Sequence, residues 1–304
     1  MSDDSPQGNT GAEITVAEHF HALIRAINFD GSKQRAAQEQ RDLLDQIRNA
    51  LDRRIEHLSE PRMGWIANSF SIERAAYESE TTRILELRHR DLGTPWALKT
   101  VPASRKDDVA LTARLRREAE IGLQLRHPCL IETTMLLRLE DGTPGLLQPW
   151  YPDTLSEVSP ERVIETDEAE ALITSILSGL EELHSKGYIH FDVSPANIFL
   201  PDGNFENAKL GDFGISLRFG EQHKDMGLAK AGSPEFTPPE QFSGHPAEPS
   251  HDLFALGKIA QRLIVKLNGP ASDRLLAFAR NCCADETSAR PSSVQEALHI
   301  LRKS

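Results

Sequence analysis

Asp192 and Asn197 stand five residues apart in the run His190-Phe191-Asp192-Val193-Ser194-Pro195-Ala196-Asn197, and another carboxylate follows in Asp212-Phe213-Gly214. One carboxylate that accepts a hydroxyl proton, with an amide oxygen and a second carboxylate that hold magnesium, is a constellation suited to a nucleoside triphosphate. Magnesium favours oxygen ligands and keeps several waters, so one amide and one carboxylate suffice beside the phosphates. A third string, Pro238-Pro239-Glu240, lies downstream. Asp-Phe-Gly alone is weak evidence, because three residues recur by chance. The ordered set, with Lys99 upstream in Trp96-Ala97-Leu98-Lys99, is far more specific.

From about Phe70 to the C-terminus these motifs resemble the eukaryotic-like Ser/Thr protein kinase family. The resemblance implies an α+β, bilobal protein-kinase-like fold, with a small β-rich N-lobe and a mostly helical C-lobe, that uses ATP and Mg2+. It assigns Asp192 as catalytic base, Asn197 and Asp212 as metal ligands, and Lys99 as the cation on the α and β phosphates. Glu118, nine residues before His127-Pro128, is then the partner of Lys99. A long lysine side chain needs such a partner, since ordering it costs about 1.5–2 kcal/mol of rotamer freedom. Glu120 is two residues further on and faces another side of the same helix. Taken singly, a strand lysine and a helix glutamate are more often surface charges. The resemblance further pairs Glu240 with Arg290, places Asp252 as a brace under the catalytic loop, and makes Ser233 the hydroxyl typical of Ser/Thr kinases.

The pattern breaks in four places. The glycine-rich loop should span about Tyr77–Thr82, yet Tyr77-Glu78-Ser79-Glu80-Thr81-Thr82 has no glycine to let backbone amides approach phosphates. Ser79, Thr81 and Thr82 are candidate replacement donors, while Glu78 and Glu80 must point outward. Ser194 stands where the family usually carries a lysine on the γ-phosphate. Phe191 replaces the arginine that normally receives an activation-segment phosphate, so activity is expected not to depend on that phosphorylation. The stretch from Asp252 to Arg290 holds two helical patterns and little of the substrate-docking helix of relatives. The expected function is ATP- and Mg-dependent phosphoryl transfer to Ser/Thr hydroxyls of a protein substrate. A pseudokinase scaffold is the alternative, favoured by the missing glycines and Ser194. A small-molecule phosphotransferase of related fold is the third reading.

Composition sets the outer limits. The chain has 304 residues, 39% apolar and 26% charged, as in ordinary globular proteins. A net charge of −12 argues against nucleic-acid backbone binding, and no apolar run approaches the length of a membrane span. Three cysteines, Cys129, Cys282 and Cys283, suit neither a disulfide framework nor a zinc site. With no secretion signal evident, a cytoplasmic location is expected.

The expected domains are a disordered tail at 1–12, an N-terminal helical extension at 13–61, and a kinase-like domain at 62–304, with its lobes meeting near 148–149. In the extension, Val16, Phe20, Leu23, Ile24 and Ile27 predict a helix over 14–28. Leu44, Ile47, Leu51, Ile55 and Leu58 predict a second over 33–59, capped at Ser32 and stopped by Pro61. These helices, within 13–60, are expected to pad the small lobe or to dock on the domain or on a partner. Strands are expected from Phe70 to Lys99, a helix over 108–126, a strand pair near 130–148, and helices from an N-cap at Thr166 onward.

Overall fold

The computed structural model describes residues 19, 21–54, 65–158, 162–226 and 232–302. The expected tail at 1–12, the start of the first helix and the end of the second lie outside these residues. The chain divides into two compact units, 1–62 and 63–304. No helix among the described residues is long and apolar enough to cross a membrane.

The first unit holds a helix over 21–28 (α1), two short antiparallel strands, Phe29–Asp30 (β1) and Lys33–Gln34 (β2), and the helix Ala37–Arg54 (α2). The predicted cap at Ser32 is corrected here. Gly31, at φ 61°, turns the chain back on itself, so residues 29–34 form a hairpin instead of a helix start. Arg35 then ties the turn down, donating from N to Asn28 O at 2.9 Å and from Nε to Ala26 O at 3.2 Å. Glu39 supplies the capping, its Oε2 accepting Ala36 N at 3.3 Å. Ile27 is buried, while Leu23, Ile24, Phe29 and Leu44 remain exposed.

The second unit begins with a six-stranded antiparallel sheet in the order β3-β4-β5-β6-β8-β7. Its strands are Trp65–Ile66 (β3), Phe70–Glu78 (β4), Arg83–His89 (β5), Pro95–Thr100 (β6), Met135–Arg138 (β7) and Pro144–Pro149 (β8). Phe70, Leu85, Leu87, Leu98 and Leu147 alternate onto one packed face. The helix Val109–Gly122 (α3) packs through Leu115 and Ala119 against Leu146 of β8. Asp108 caps it, accepting Ala110 N and Leu111 N at 3.0 and 3.1 Å.

The remainder is mostly helical. The helix Thr166–Ser185 (α4) buries Leu172, Ile173, Ile176, Leu177, Leu180 and Leu183 at the centre of the largest core. Its N-cap is Glu165 instead of the expected Thr166, because Glu165 and Glu168 form a reciprocal capping box. Four two-residue strands follow, Tyr188–Ile189 (β9), Ile198–Phe199 (β10), Lys209–Leu210 (β11) and Leu217–Arg218 (β12), paired as β9–β12 and β10–β11. Four helices complete the unit: Pro239–Phe242 (α5), Pro249–Val265 (α6), Asp273–Cys282 (α7) and Val294–Arg302 (α8). A β-rich part followed by a mostly helical part is the bilobal α+β arrangement expected from the sequence.

Glu240 at the start of α5 meets Arg290 Nη1 at 2.5 Å, with both side chains nearly out of water. Arg290 Nε also donates to Ala284 O at 2.8 Å, and its guanidinium lies 4.5 Å from the Phe254 ring centroid. Removing one member of such a pair leaves a buried charge without its counter-ion. Glu240→Ala is expected to lower unfolding free energy by about 3–5 kcal/mol in urea titration. A loss near that of an exposed pair, under about 1 kcal/mol, would refute the buried-pair reading.

Candidate active site

Lys99 is the junction of the site. It sits near the end of β6, paired with Ile84 of β5 on one side and Leu146 of β8 on the other. Its ammonium lies 2.8 Å from Glu118 Oε1 and 2.7 Å from Asp212 Oδ1. Burial alone would favour the neutral amine, but the two carboxylates overcome this and hold the Lys99 pKa above its ordinary value. Burial also raises Glu118, to about 7, with Lys99 opposing the shift and the Asp212 charge adding to it. Asp212 goes the other way, to about 2, because Lys99 and the Gly214 amide outweigh its own burial. Glu120 is exposed, on a different side of α3 from Glu118.

Two short pairings set the other residues in register. In β10–β11, Ile198 faces Leu210, and Gly211 N donates to Asn197 O at 2.9 Å, so Asn197 and Asp212 leave adjacent strands side by side. In β9–β12, Ile189 faces Leu217, which brings the start of the catalytic loop against the segment after Asp-Phe-Gly. Asn197 Nδ2 donates to Asp192 O at 2.9 Å and to Asp192 Oδ2 at 3.1 Å. With Nδ2 engaged by Asp192, its Oδ1 is the atom that could ligate a cation, together with the Asp212 carboxylate. Among the described residues no cluster of three or more His, Cys, Asp or Glu forms a self-sufficient metal cage. An amide oxygen and one carboxylate fit an ion that takes its other ligands from water and phosphate, which is the habit of magnesium.

The loop that carries Asp192 is strained and braced. Phe191 has φ 70° and Asp212 φ 64°, both in the left-handed region that side-chain-bearing residues avoid. Asp252, at the start of α6, accepts His190 N on Oδ2 and Phe191 N on Oδ1, each at 2.8 Å. Gln241 Nε2 donates to Phe191 O at 2.9 Å. His184 Nε2 meets Asp252 Oδ2 at 2.9 Å, and these contacts hold the Asp252 pKa low against its burial. Such contacts are what a strained backbone requires to persist. Burial raises the pKa of Asp192, an effect opposed by Ser233, whose Oγ donates to Asp192 Oδ1 at 2.9 Å.

The hairpin tip replaces the glycine-rich loop with a self-contained turn. Ser79 N donates to Thr82 O at 2.9 Å, and Ser79 Oγ accepts Thr81 N and Thr82 N at 3.3 and 3.2 Å. Ser79 is therefore committed to its own backbone, whereas Thr81 and Thr82 line a small cavity with Lys99, Arg114 and Glu118. Glu78 and Glu80 are exposed, and Glu78 meets Arg83 at 3.4 Å. Ser194 is buried at the start of the one-turn helix Pro195–Asn197, where its side chain caps no amide.

Sequence reasoning missed Arg114. It precedes Glu118 by four residues, so it shares that face of α3, and its Nε donates to Gly214 O at 3.0 Å. The i, i+4 spacing was the available signal. Gly214 admits this crowding because a Cβ there would come within 3.0 Å of Glu118 Oε2 and 3.1 Å of Asp212 Oδ1.

The pKa shifts carry opposite signs for stability. Asp212, depressed in the fold, stabilises above its unfolded value near 3.8, and that contribution is lost as pH falls through about 2. Glu118, raised from 4.5, contributes stability below its unfolded value that is lost as pH rises through about 7. Carboxyl NMR should show one glutamate titrating near neutrality. Asp212→Asn should move that titration downward, since it removes a like charge, and Lys99→Met should move it upward. A shift of either in the other direction would contradict the assigned electrostatics.

The sequence profile described as the protein kinase domain matches residues 79–269. The serine/threonine-protein kinase pkn3 of Myxococcus xanthus is 27% identical over 229 residues, covering 73% of this chain and 42% of its own length. A probable serine/threonine-protein kinase of Streptomyces coelicolor is 30% identical over 188 residues, covering 57% of this chain and 26% of the relative. The human hormonally up-regulated neu tumor-associated kinase is 29% identical over 184 residues, covering 59% of this chain and 25% of the relative. The chain thus spans less than half the length of these curated relatives. The profile covers more than half of this chain and includes Lys99, Glu118, Asp192, Asn197 and Asp212, and on that match the chain belongs to the protein kinase family, alongside relatives that are serine/threonine kinases.

Proposed function

We propose that this chain transfers the γ-phosphoryl group of ATP to a Ser or Thr hydroxyl of a protein, with Mg2+ bound by Asn197 and Asp212. One observation carries the reading. The Lys99–Glu118–Asp212 cluster and the Asp192–Asn197 pair converge on one place, joined through the β10–β11 register. Bound magnesium would neutralise charge on the phosphate oxygens. Lys99 would exchange its contact with Asp212 for phosphate oxygens while Glu118 keeps its side chain extended. Asp192 would orient the acceptor hydroxyl and take its proton. The bond from Ser233 Oγ to Asp192 Oδ1 supports this role, since it puts an aliphatic hydroxyl at hydrogen-bonding distance from the base. Positioning and charge stabilisation would supply most of the rate.

A second reading, a pseudokinase, is favoured by the hairpin tip. The amides of Thr81 and Thr82 are bonded to Ser79 Oγ and so are not free for phosphates. A pseudokinase keeps the fold with or without nucleotide binding, so turnover separates the two.

We place the chain in a reducing, cytoplasmic compartment. The three cysteines are free, and burial pushes the Cys282 and Cys283 thiols up, the latter to about 11, which makes them poor redox groups. Residues 13–60 are proposed as a partner surface, supported by the exposure of Leu23, Ile24, Phe29 and Leu44 within the first unit. Deleting residues 1–60 should change substrate or partner binding while leaving the remaining protein soluble. Unchanged binding by the truncated protein would remove that proposal.

Thermal unfolding with ATP, with and without magnesium, tests the site. Nucleotide at 100 times its dissociation constant adds about 2.7 kcal/mol. The magnesium-dependent part of the shift should vanish in Asp212→Asn. Asp192→Ala should keep the nucleotide shift and lose phosphoryl transfer. Transfer at the wild-type rate by Asp192→Ala would refute the assignment. Nucleotide binding by the wild type with no transfer to any substrate would favour the pseudokinase.

A further inference from the structure

Kinases switched by activation-segment phosphorylation grip the new phosphate with arginines, which orders the segment and sets the helix that carries the lysine's glutamate. Here the residue before Asp192 is Phe191. Its ring is buried with Ile189, Ile215, Leu217 and Ala247 and lies against the His223 and His251 rings, so that position offers a phosphate no guanidinium.

A carboxylate already stands where α3 meets the segment. Arg117, the residue before Glu118, donates from Nη2 to Glu221 Oε2 at 2.8 Å and to Ser216 O at 3.4 Å. The same Glu221 oxygen accepts Arg218 N at 2.8 Å. The backbone around Glu221 is itself held: its N donates to Arg218 O at 3.0 Å, and its O accepts Ala247 N at 2.8 Å. Gly220 N donates to Ala247 O at 3.0 Å. One turn earlier on α3, Arg114 reaches Gly214 O. Two arginines three residues apart therefore tie α3 to the start of the segment, one at Gly214 and one at Ser216 and Glu221.

We propose that Glu221 is a built-in counterpart of an activating phosphate. Through Arg117 its carboxylate holds α3 where Glu118 meets Lys99, with no modification required. Arg117 and Glu221 are positioning residues, since neither touches the reacting atoms. The pair is about one-third exposed, 31% and 36%, so its strength is that of a surface ion pair, at most about a fivefold bias. A bias of that size tunes the position of α3 without governing the fold. The effect on rate rests on the phosphotransfer reading, whereas the effect on α3 does not.

The test uses the full chain as wild type, Arg117→Glu, Glu221→Arg and the double exchange. Amide hydrogen exchange is followed across residues 109–122 and 214–221, together with phosphoryl transfer. Each single variant should speed exchange in α3 and lower the transfer rate by up to about fivefold. The double exchange should restore most of both, which a merely structural loss at either position would not do. Phosphatase treatment of the wild type should change neither. The proposal is overturned if α3 exchange in both single variants equals wild type, if the double exchange behaves no better than the singles, or if phosphatase lowers the wild-type rate more than tenfold. A wild type that transfers no phosphate while α3 exchange follows the expected pattern would retain the clasp and discard the phosphotransfer reading.

Discussion

The ammonium of Lys99 lies between two carboxylates that approach from different parts of the chain, and most of the site depends on that meeting. A buried cation without partners would deprotonate or drive its strand toward water. Here one charge is shared by Glu118 of α3 and Asp212 of the segment after β11. Each of the three residues is held by packing of its own. Lys99 is held by the β5–β6–β8 register, Glu118 by the seating of α3 on Leu146, and Asp212 by the β10–β11 pairing. A shift of any of these elements separates the charges. The cluster therefore couples the sheet, α3 and the catalytic segment electrostatically.

The second constraint is the backbone around Asp192. Phe191 in a left-handed conformation is unfavourable alone, and it persists because Asp252 and Gln241 satisfy its amide and carbonyl. Asp252 in turn is kept ionised by His184 and the loop amides. The strain is thus localised where Asp192 must be presented, and α6 supplies the brace. The same economy appears at the opposite wall. With no glycine in the β4–β5 turn, Ser79 folds the tip onto itself, and the tip contributes side chains of Thr81 and Thr82 to the cavity in place of backbone amides. Side chains are longer and more mobile donors than amides, so any phosphate held there is gripped with less preorganisation.

The identity and order of Lys99, Glu118, Asp192, Asn197 and Asp212 were legible in the sequence, because these motifs are short and their spacing is local. So were the strands from Phe70 to Lys99 and the central helix α4, whose apolar periodicity is strong. Boundaries were less legible. The helix expected from residue 33 begins at Ala37, because a glycine turn and a side-chain cap from Glu39 outcompete the apolar pattern. The cap of α4 fell to Glu165, since a reciprocal pair with Glu168 satisfies two amides where Thr166 would satisfy one.

By itself the sequence determined which chemical groups are present and that they follow one another in a kinase-like order. It could not determine that Ser79 spends its hydroxyl on its own turn, that Arg114 rests on Gly214, or that Arg117 meets Glu221 about a hundred residues away. The two arginine contacts join segments far apart along the chain. Their geometry follows from how the sheet, α3 and the catalytic loop pack around shared buried charges. Burial, which drives the Glu118 and Asp192 shifts and opposes those of Lys99, Asp212 and Asp252, exists only once that packing has excluded water.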